Sequence, residues 1–246
     1  MLKWATNLLS YWEAERSEAI QVKTYKTMKQ ILYTRNELYS WLIELDKAQL
    51  LEMLNNVAKK YKYPIFKSNK AYPINLNIWG IRSNDERTEY FNDVIIVFYN
   101  DENDNWTINI YEATTDPGRT YLMNPCNEKG CAVLTTGFHQ GLWKLGYHKG
   151  TYKALVQASP CLIYRDYNRD DIIDFHEDLR LDRGMFGLNL HRASSRVTSD
   201  EIGLYSAGCQ VIKNANEFDD LIQLCEKALK DGDKQSYVLI HEDNLT

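Results

Sequence analysis

The period of the apolar residues changes near residue 70, and that change constrains the fold more than any other feature of the chain. From residue 12 to 58 the apolar side chains fall at helical spacing: Ile20, Tyr25, Met28 and Ile31 or Leu32, then Leu38, Trp41, Leu42, Leu45, Met53, Leu54 and Val57. Residues 59–72 are basic and Tyr-rich, contain Pro64 and run into Pro73, so they read as a connector. Beyond it the period is that of strands, expected over residues 74–81, 94–99, 106–111, 131–135, 142–147, 152–157 and 161–165. Residues 100–105, N-D-E-N-D-N, form a loop between two strands, because six polar residues without periodicity bury no face. One late helix is marked by Phe218, Leu221, Ile222, Cys225 and Leu229, with Asn214 and Glu217 at its start and Gly232 past its end, followed by a strand over 237–240. The expected class is α+β, with a helical segment over residues 1–70 and a mainly β domain over 71–246.

Composition excludes several functions. There are 34 Asp and Glu against 29 Lys and Arg, a net charge of −5, and so no basic surface of the kind that releases counterions from a nucleic acid. No apolar run approaches the roughly 20 residues of a membrane span, and the N-terminus lacks the apolar core and cleavage site of a signal peptide. Five cysteines, Cys126, Cys131, Cys161, Cys209 and Cys225, are an odd number in a chain large enough to fold without staples, and all five are expected as thiols. The aromatic residues of the helical segment, Trp12, Tyr25, Tyr33, Tyr39 and Trp41, are expected in the core.

The chemistry concentrates in G-L-N-L-H-R, residues 187–192, and S-A-G-C-Q-V-I, residues 206–212. A strand ending in His191 presents its imidazole at a sheet edge. Gly208 permits a tight turn, which would leave the N–H groups of Gly208 and Cys209 to face a ligand. A thiol nucleophile, a base and oxyanion donors are the parts of acyl transfer. Free cysteines are more often packing residues, so the joint pattern carries the reading, not Cys209 alone.

That pattern, His, fourteen residues, then Ser-x-Gly-Cys, resembles the signature of the L,D-transpeptidase (YkuD-like) catalytic domain, and S-A-G-C-Q in place of S-H-G-C is similar to its phage-encoded members. In organisation the resemblance covers residues 73–240. Its specific residues lie within 187–212. It implies Cys209 as nucleophile, His191 as general base, Ser206 as the hydroxyl opening the motif and Gly208 as the glycine beside the nucleophile. The sequence departs at Ala207, where the family has His, and at Gln210 and Val211, where it has an apolar residue and then Arg or Asn; the lost groups help to hold substrate and oxyanion. The implied substrate is a peptidoglycan stem peptide, cleaved or cross-linked through an acyl-enzyme on Cys209. With no export signal, a phage endolysin or virion-borne enzyme acting in the periplasm, and hydrolysis over cross-linking, are the expectations. The rival is a non-catalytic virion or cell-surface binding module that retains the fold.

No cofactor is required by this chemistry, but D-Y-N-R-D-D-I-I-D-F-H-E matches a calcium loop. Asp166, Asn168, Asp170, the Ile172 carbonyl, Asp174 and Glu177 occupy the six ligand positions, while Asp171 replaces the turn glycine and strands flank the loop. The alternative is an Asp/Asn-rich hairpin loop. Zinc is not expected, because His139, His148, Cys126, Cys131 and Cys161 include no close ligand spacing.

Overall fold

The computed structural model describes residues 35–173, 175, 180–196 and 198–245. Residues 36–246 form one compact unit. Two helices open it, α1 (Glu37–Leu42) and α2 (Lys47–Tyr61). Asn36 caps α1 by accepting the Tyr39 N–H at 2.8 Å, and its Nδ2 donates to the carbonyls of Phe91 and Asp93, which ties the helix start to the sheet. Asp46 and Gln49 form a reciprocal capping box on α2, so two orphan N–H groups are satisfied within one turn.

Eleven strands follow among the described residues: β1 (Asn77–Arg82), β2 (Asp93–Asn100), β3 (Trp106–Thr114), β4 (Cys131–Leu134), β5 (Gly137–His148), β6 (Tyr152–Gln157), β7 (Cys161–Asp166), β8 (Arg180–Gly184), β9 (Leu190–Arg192), β10 (Gln210–Ile212) and β11 (Gln235–His241). Helix α3 (Arg119–Met123) lies between β3 and β4, and α4 (Ala215–Ala228) between β10 and β11. Eight strands close into a barrel in the order β1-β11-β5-β6-β9-β10-β3-β2, and β4, β7 and β8 make a small separate sheet. The pairs β1–β11 and β9–β10 are parallel and the others antiparallel, so the barrel is mixed.

Strand alternation divides two cores. Ile78, Ile95, Val97, Tyr237 and Leu239 face one side, with Trp143, Leu155, Leu190, Ile212 and the α4 stripe Phe218, Leu221, Ile222 and Cys225. Trp79, Ile81, Val94, Ile96, Phe98, Val238 and Ile240 face the other, where Leu38, Leu42, Leu50, Leu54 and Val57 of α1 and α2 cover them. Apolar residues on both faces explain why β2 reads as a continuous apolar run instead of an alternating one. The α+β class is the one expected, with helices first and a larger mixed β-sheet region after. Helices α1 and α2, from the segment before residue 70, share a core with β1, β2 and β11.

Several details differ from the sequence reading. Strand β8 was not expected: R-L-D-R-G has no apolar alternation, and it is held through its backbone to β7. Strand β5 starts five residues earlier than expected, because Gly141 takes φ +56 and carries the strand through a register irregularity against β11. Trp41 is 40% exposed and not core, while Tyr39 packs at the edge of the helix-covered core. Trp12, Tyr25 and Tyr33 lie outside the described residues. The 100–105 loop closes the β2–β3 hairpin as expected, with the Asp101 carboxylate accepting the N–H groups of Asn103 and Asn105. Asn214 accepts from Asn216 and Glu217 at the start of α4. All five cysteines are free thiols. Among the described residues no helix is long and apolar enough to cross a membrane.

Candidate active site

The turn that carries Cys209 is built from the inside. Gly208 has φ +117, and a Cβ there would sit 2.1 Å from the Ala132 carbonyl oxygen, so strand β4 leaves space for glycine alone. The Ser206 hydroxyl is fully buried between the carbonyl oxygens of Asp116, at 2.7 Å, and Cys209, at 2.8 Å, and it accepts the Gly208 N–H at 3.2 Å. Ser206 therefore stitches the turn to the T-T-D-P-G loop, residues 114–118, and the Gly208 N–H is spent on this bond instead of facing a ligand. The Cys131 thiol lies beneath, 3.8 Å from the Ala207 carbonyl. Gln210 points into the barrel, where its Nε2 donates to the Thr115 carbonyl and its Oε1 accepts from the Tyr237 hydroxyl at 2.8 Å.

Strand β9 supplies the facing wall. Gln157 at the end of β6 accepts three successive backbone N–H groups, Phe186, Gly187 and Leu188, on one amide oxygen. The Trp143 indole N–H holds the Leu188 carbonyl at 2.9 Å. The loop fixed in this way sets Asn189 beside Cys209: the Asn189 N–H donates to Cys209 Sγ, and Sγ–H donates to the Gly187 carbonyl, each at 3.5 Å. Cys209 is half-buried.

The parallel β9–β10 register places His191 opposite Val211, two residues past Cys209. Two residues along a strand are about 6.6 Å. His191 is 3% exposed; its Nδ1 lies 2.8 Å from the Arg192 carbonyl and 3.2 Å from the Tyr152 hydroxyl. A carbonyl accepts only, so the ring proton is on Nδ1. Nε2 is buried with no hydrogen-bond partner among the described residues. The ring stacks on His148, with centroids 4.0 Å apart, and the Arg192 guanidinium lies 4.2 Å over the Tyr152 ring.

The electrostatics favour neutral forms of both partners. Burial, then the charges of His148, Lys149 and Arg192, push His191 down to about 3. Burial pushes the Cys209 thiol up, against the Asn189 N–H and the Lys149 charge. The thiol and imidazole are not hydrogen-bonded to one another in this conformation. Acylation from such a state needs the two brought into contact, with the proton moving as the new bond forms; free enzymes commonly show such contacts long or misaligned.

Comparison with protein-family models, with curated proteins and with solved structures finds no match to this chain.

Sequence reasoning placed Cys209, His191, Ser206 and Gly208, and the fold gathers all four around β9 and β10. It missed Tyr152, Asn189 and Arg192 as neighbours of the base, and considered His148 only for zinc. A groove of about 600 Å³ lined by Leu42, Ile43, Tyr99, Ile110 and Glu217 includes neither Cys209 nor His191.

The 166–177 segment is elsewhere. Asp166 ends β7, 2% exposed. The Asp170 carboxylate accepts from Asn168 Nδ2 and from the Ile172 N–H, both at 2.9 Å, so these side chains are engaged in a local Asx arrangement. Asp174 and Glu177 lie outside the described residues, and among the described residues no group of three His, Cys, Asp or Glu is poised for a metal.

Proposed function

We propose that the protein is a cysteine acyl-transfer enzyme acting on peptidoglycan stem peptides, with Cys209 as nucleophile and His191 as general base. The observation that carries this reading is the His191 ring. Its Nδ1 proton is committed to the Arg192 carbonyl, so the one nitrogen lone pair left is Nε2, on the strand beside the turn that carries the thiol. In the proposed step Nε2 takes the thiol proton as Sγ bonds to the substrate carbonyl carbon. It then gives that proton to the departing amine as the C–N bond breaks. Water attacking the thioester gives hydrolysis, and a second amine gives a cross-link.

The substrate class, and the assignment to a phage lysis or virion enzyme, rest on the S-A-G-C resemblance. Ser206 acts in this scheme by shaping the turn, since its one proton is shared between the Asp116 and Cys209 carbonyls and a lone pair accepts the Gly208 N–H. Calcium, if the 166–177 loop takes it, is structural; a thermal shift on adding calcium that Asp170→Ala abolishes supports it, and no shift removes it.

A second reading, a binding module without catalysis, is favoured by the absence of a Cys209–His191 hydrogen bond. Incubation with purified muropeptides and mass spectrometry of the products separates the two. Shortened stems support hydrolysis and new stem-to-stem links support transfer. Unchanged muropeptides that remain bound support the module.

A further inference from the structure

His148 closes β5 and faces Tyr152 across the β5–β6 hairpin, which brings both side chains against His191, some 40 residues further on. Its protonation is set by Asn189. The Asn189 Oδ1 accepts the Gln157 N–H at 2.9 Å, and this orients the amide so that Nδ2 lies 3.1 Å from His148 Nδ1. A donor at that distance requires a lone pair on His148 Nδ1, so His148 is neutral with its proton on Nε2. Burial and the Lys149 charge act in the same direction, lowering its pKa.

The two imidazoles thus carry opposite tautomers, Nε2–H on His148 and Nδ1–H on His191, with planes 28° from parallel. We propose that His148 is a positioning residue for His191. Locked neutral by Asn189, it is the wall on which the base stacks, and with Tyr152 it holds that ring in the single tautomer that leaves Nε2 free. The inference rests on the reading of His191 as the base for Cys209. It also fits one feature of the surroundings: among the described residues the groups that bear on His191 are Tyr152, His148, Lys149 and Arg192, and none is a carboxylate. An imidazolium at His191 gains no anionic partner among them, and a second proton on His148 would oppose the first.

The test is ¹⁵N NMR of the histidine side chains in the full-length chain, followed across pH so that tautomer and titration are both read. The wild type is expected to show the Nδ1–H tautomer for His191 and the Nε2–H tautomer for His148. His148→Ala removes the wall, and the His191 signals should move toward tautomer averaging. His148→Phe restores a stacking face without a ring nitrogen; it should recover the single tautomer and raise the His191 pKa by removing the His148 charge. A His191 tautomer and titration unchanged in both variants would overturn the proposal, as would an Nδ1–H tautomer for His148 in the wild type, which needs no variant to fold. Failure of the catalytic reading looks different: Cys209 would form no acyl-enzyme with muropeptides while the tautomers stand as described.

Discussion

Two buried polar regions flank the Cys209 turn, and they treat charge in opposite ways. On the barrel-interior side Arg82, 1% exposed, pairs with Asp116 at 2.7 Å and donates to the carbonyls of Thr115 and Leu134. Beside it the Asp93 carboxylate accepts the Ser83 N–H at 2.7 Å and the Thr115 N–H and hydroxyl at 2.6 and 2.8 Å. On the outer side His191 lies against His148 and Tyr152, on the strand beside the Cys209 turn, with no carboxylate among them, and burial favours the neutral forms of thiol and imidazole. The Ser206 hydroxyl and the Asp116 carbonyl join the two. The first region is built around an ion pair that braces the T-T-D-P-G loop, and the second keeps one lone pair, on His191 Nε2, without a partner among the described residues. Under the proposed chemistry, rigidity on one side lets a proton acceptor be held poised on the other.

Removing the ion pair should have the largest effect. Arg82→Met leaves buried carboxylates without their cation and should destabilise the fold by about 3–5 kcal/mol in urea unfolding. His191→Gln, which removes no ion pair, should cost far less; equal losses would erase the distinction between the regions. Gly208→Ala comes next. Its φ of +117 and the Ala132 carbonyl stand against a Cβ, so a loss of about 1–3 kcal/mol should accompany a slower reaction of Cys209 with iodoacetamide. Ser206→Ala should cost about 1 kcal/mol, the worth of a buried hydrogen bond, and slow the thiol less than Gly208→Ala does.

The pH dependence of stability has opposite signs in the two regions. His191 stays neutral in the folded chain down to about 3, whereas an unfolded imidazole binds its proton near pH ~6.5. In that window the unfolded chain holds more protons, so this contribution is full above ~6.5 and is lost as the pH falls toward 3. Asp93 is the reverse: burial and the neighbouring Asp116 charge raise its pKa, and the folded chain keeps a proton that the unfolded chain releases near pH ~4. Its contribution is full in acid and is lost as the pH rises through the raised value. Melting temperature measured across pH should therefore fall less steeply on the acid side in His191→Gln and decline less toward neutrality in Asp93→Asn.

The sequence made the hairpin β2–β3, the α4 stripe and the tight turn at Gly208 legible, because each is written in neighbouring residues: an apolar run, a helical spacing, a glycine beside a serine. Strands β9 and β10 have three residues each, too few to show a period, and β8 is charged and held through its backbone. Cys209 and His191 were readable through their spacing. His148, Tyr152 and Asn189 were not, because their roles arise from the closure of the barrel. That closure sets the β5–β6 hairpin beside β9, a relation no local pattern encodes.

The most direct test is intact-mass spectrometry of the protein after brief exposure to stem-peptide muropeptides, with the adduct mapped by digestion. The structure and the proposed chemistry predict a thioester on Cys209 that is absent in Cys209→Ala and forms several orders of magnitude more slowly in His191→Gln, with both variants folded. An adduct on Cys126, Cys131, Cys161 or Cys225, or cleavage that persists in Cys209→Ala, would contradict them.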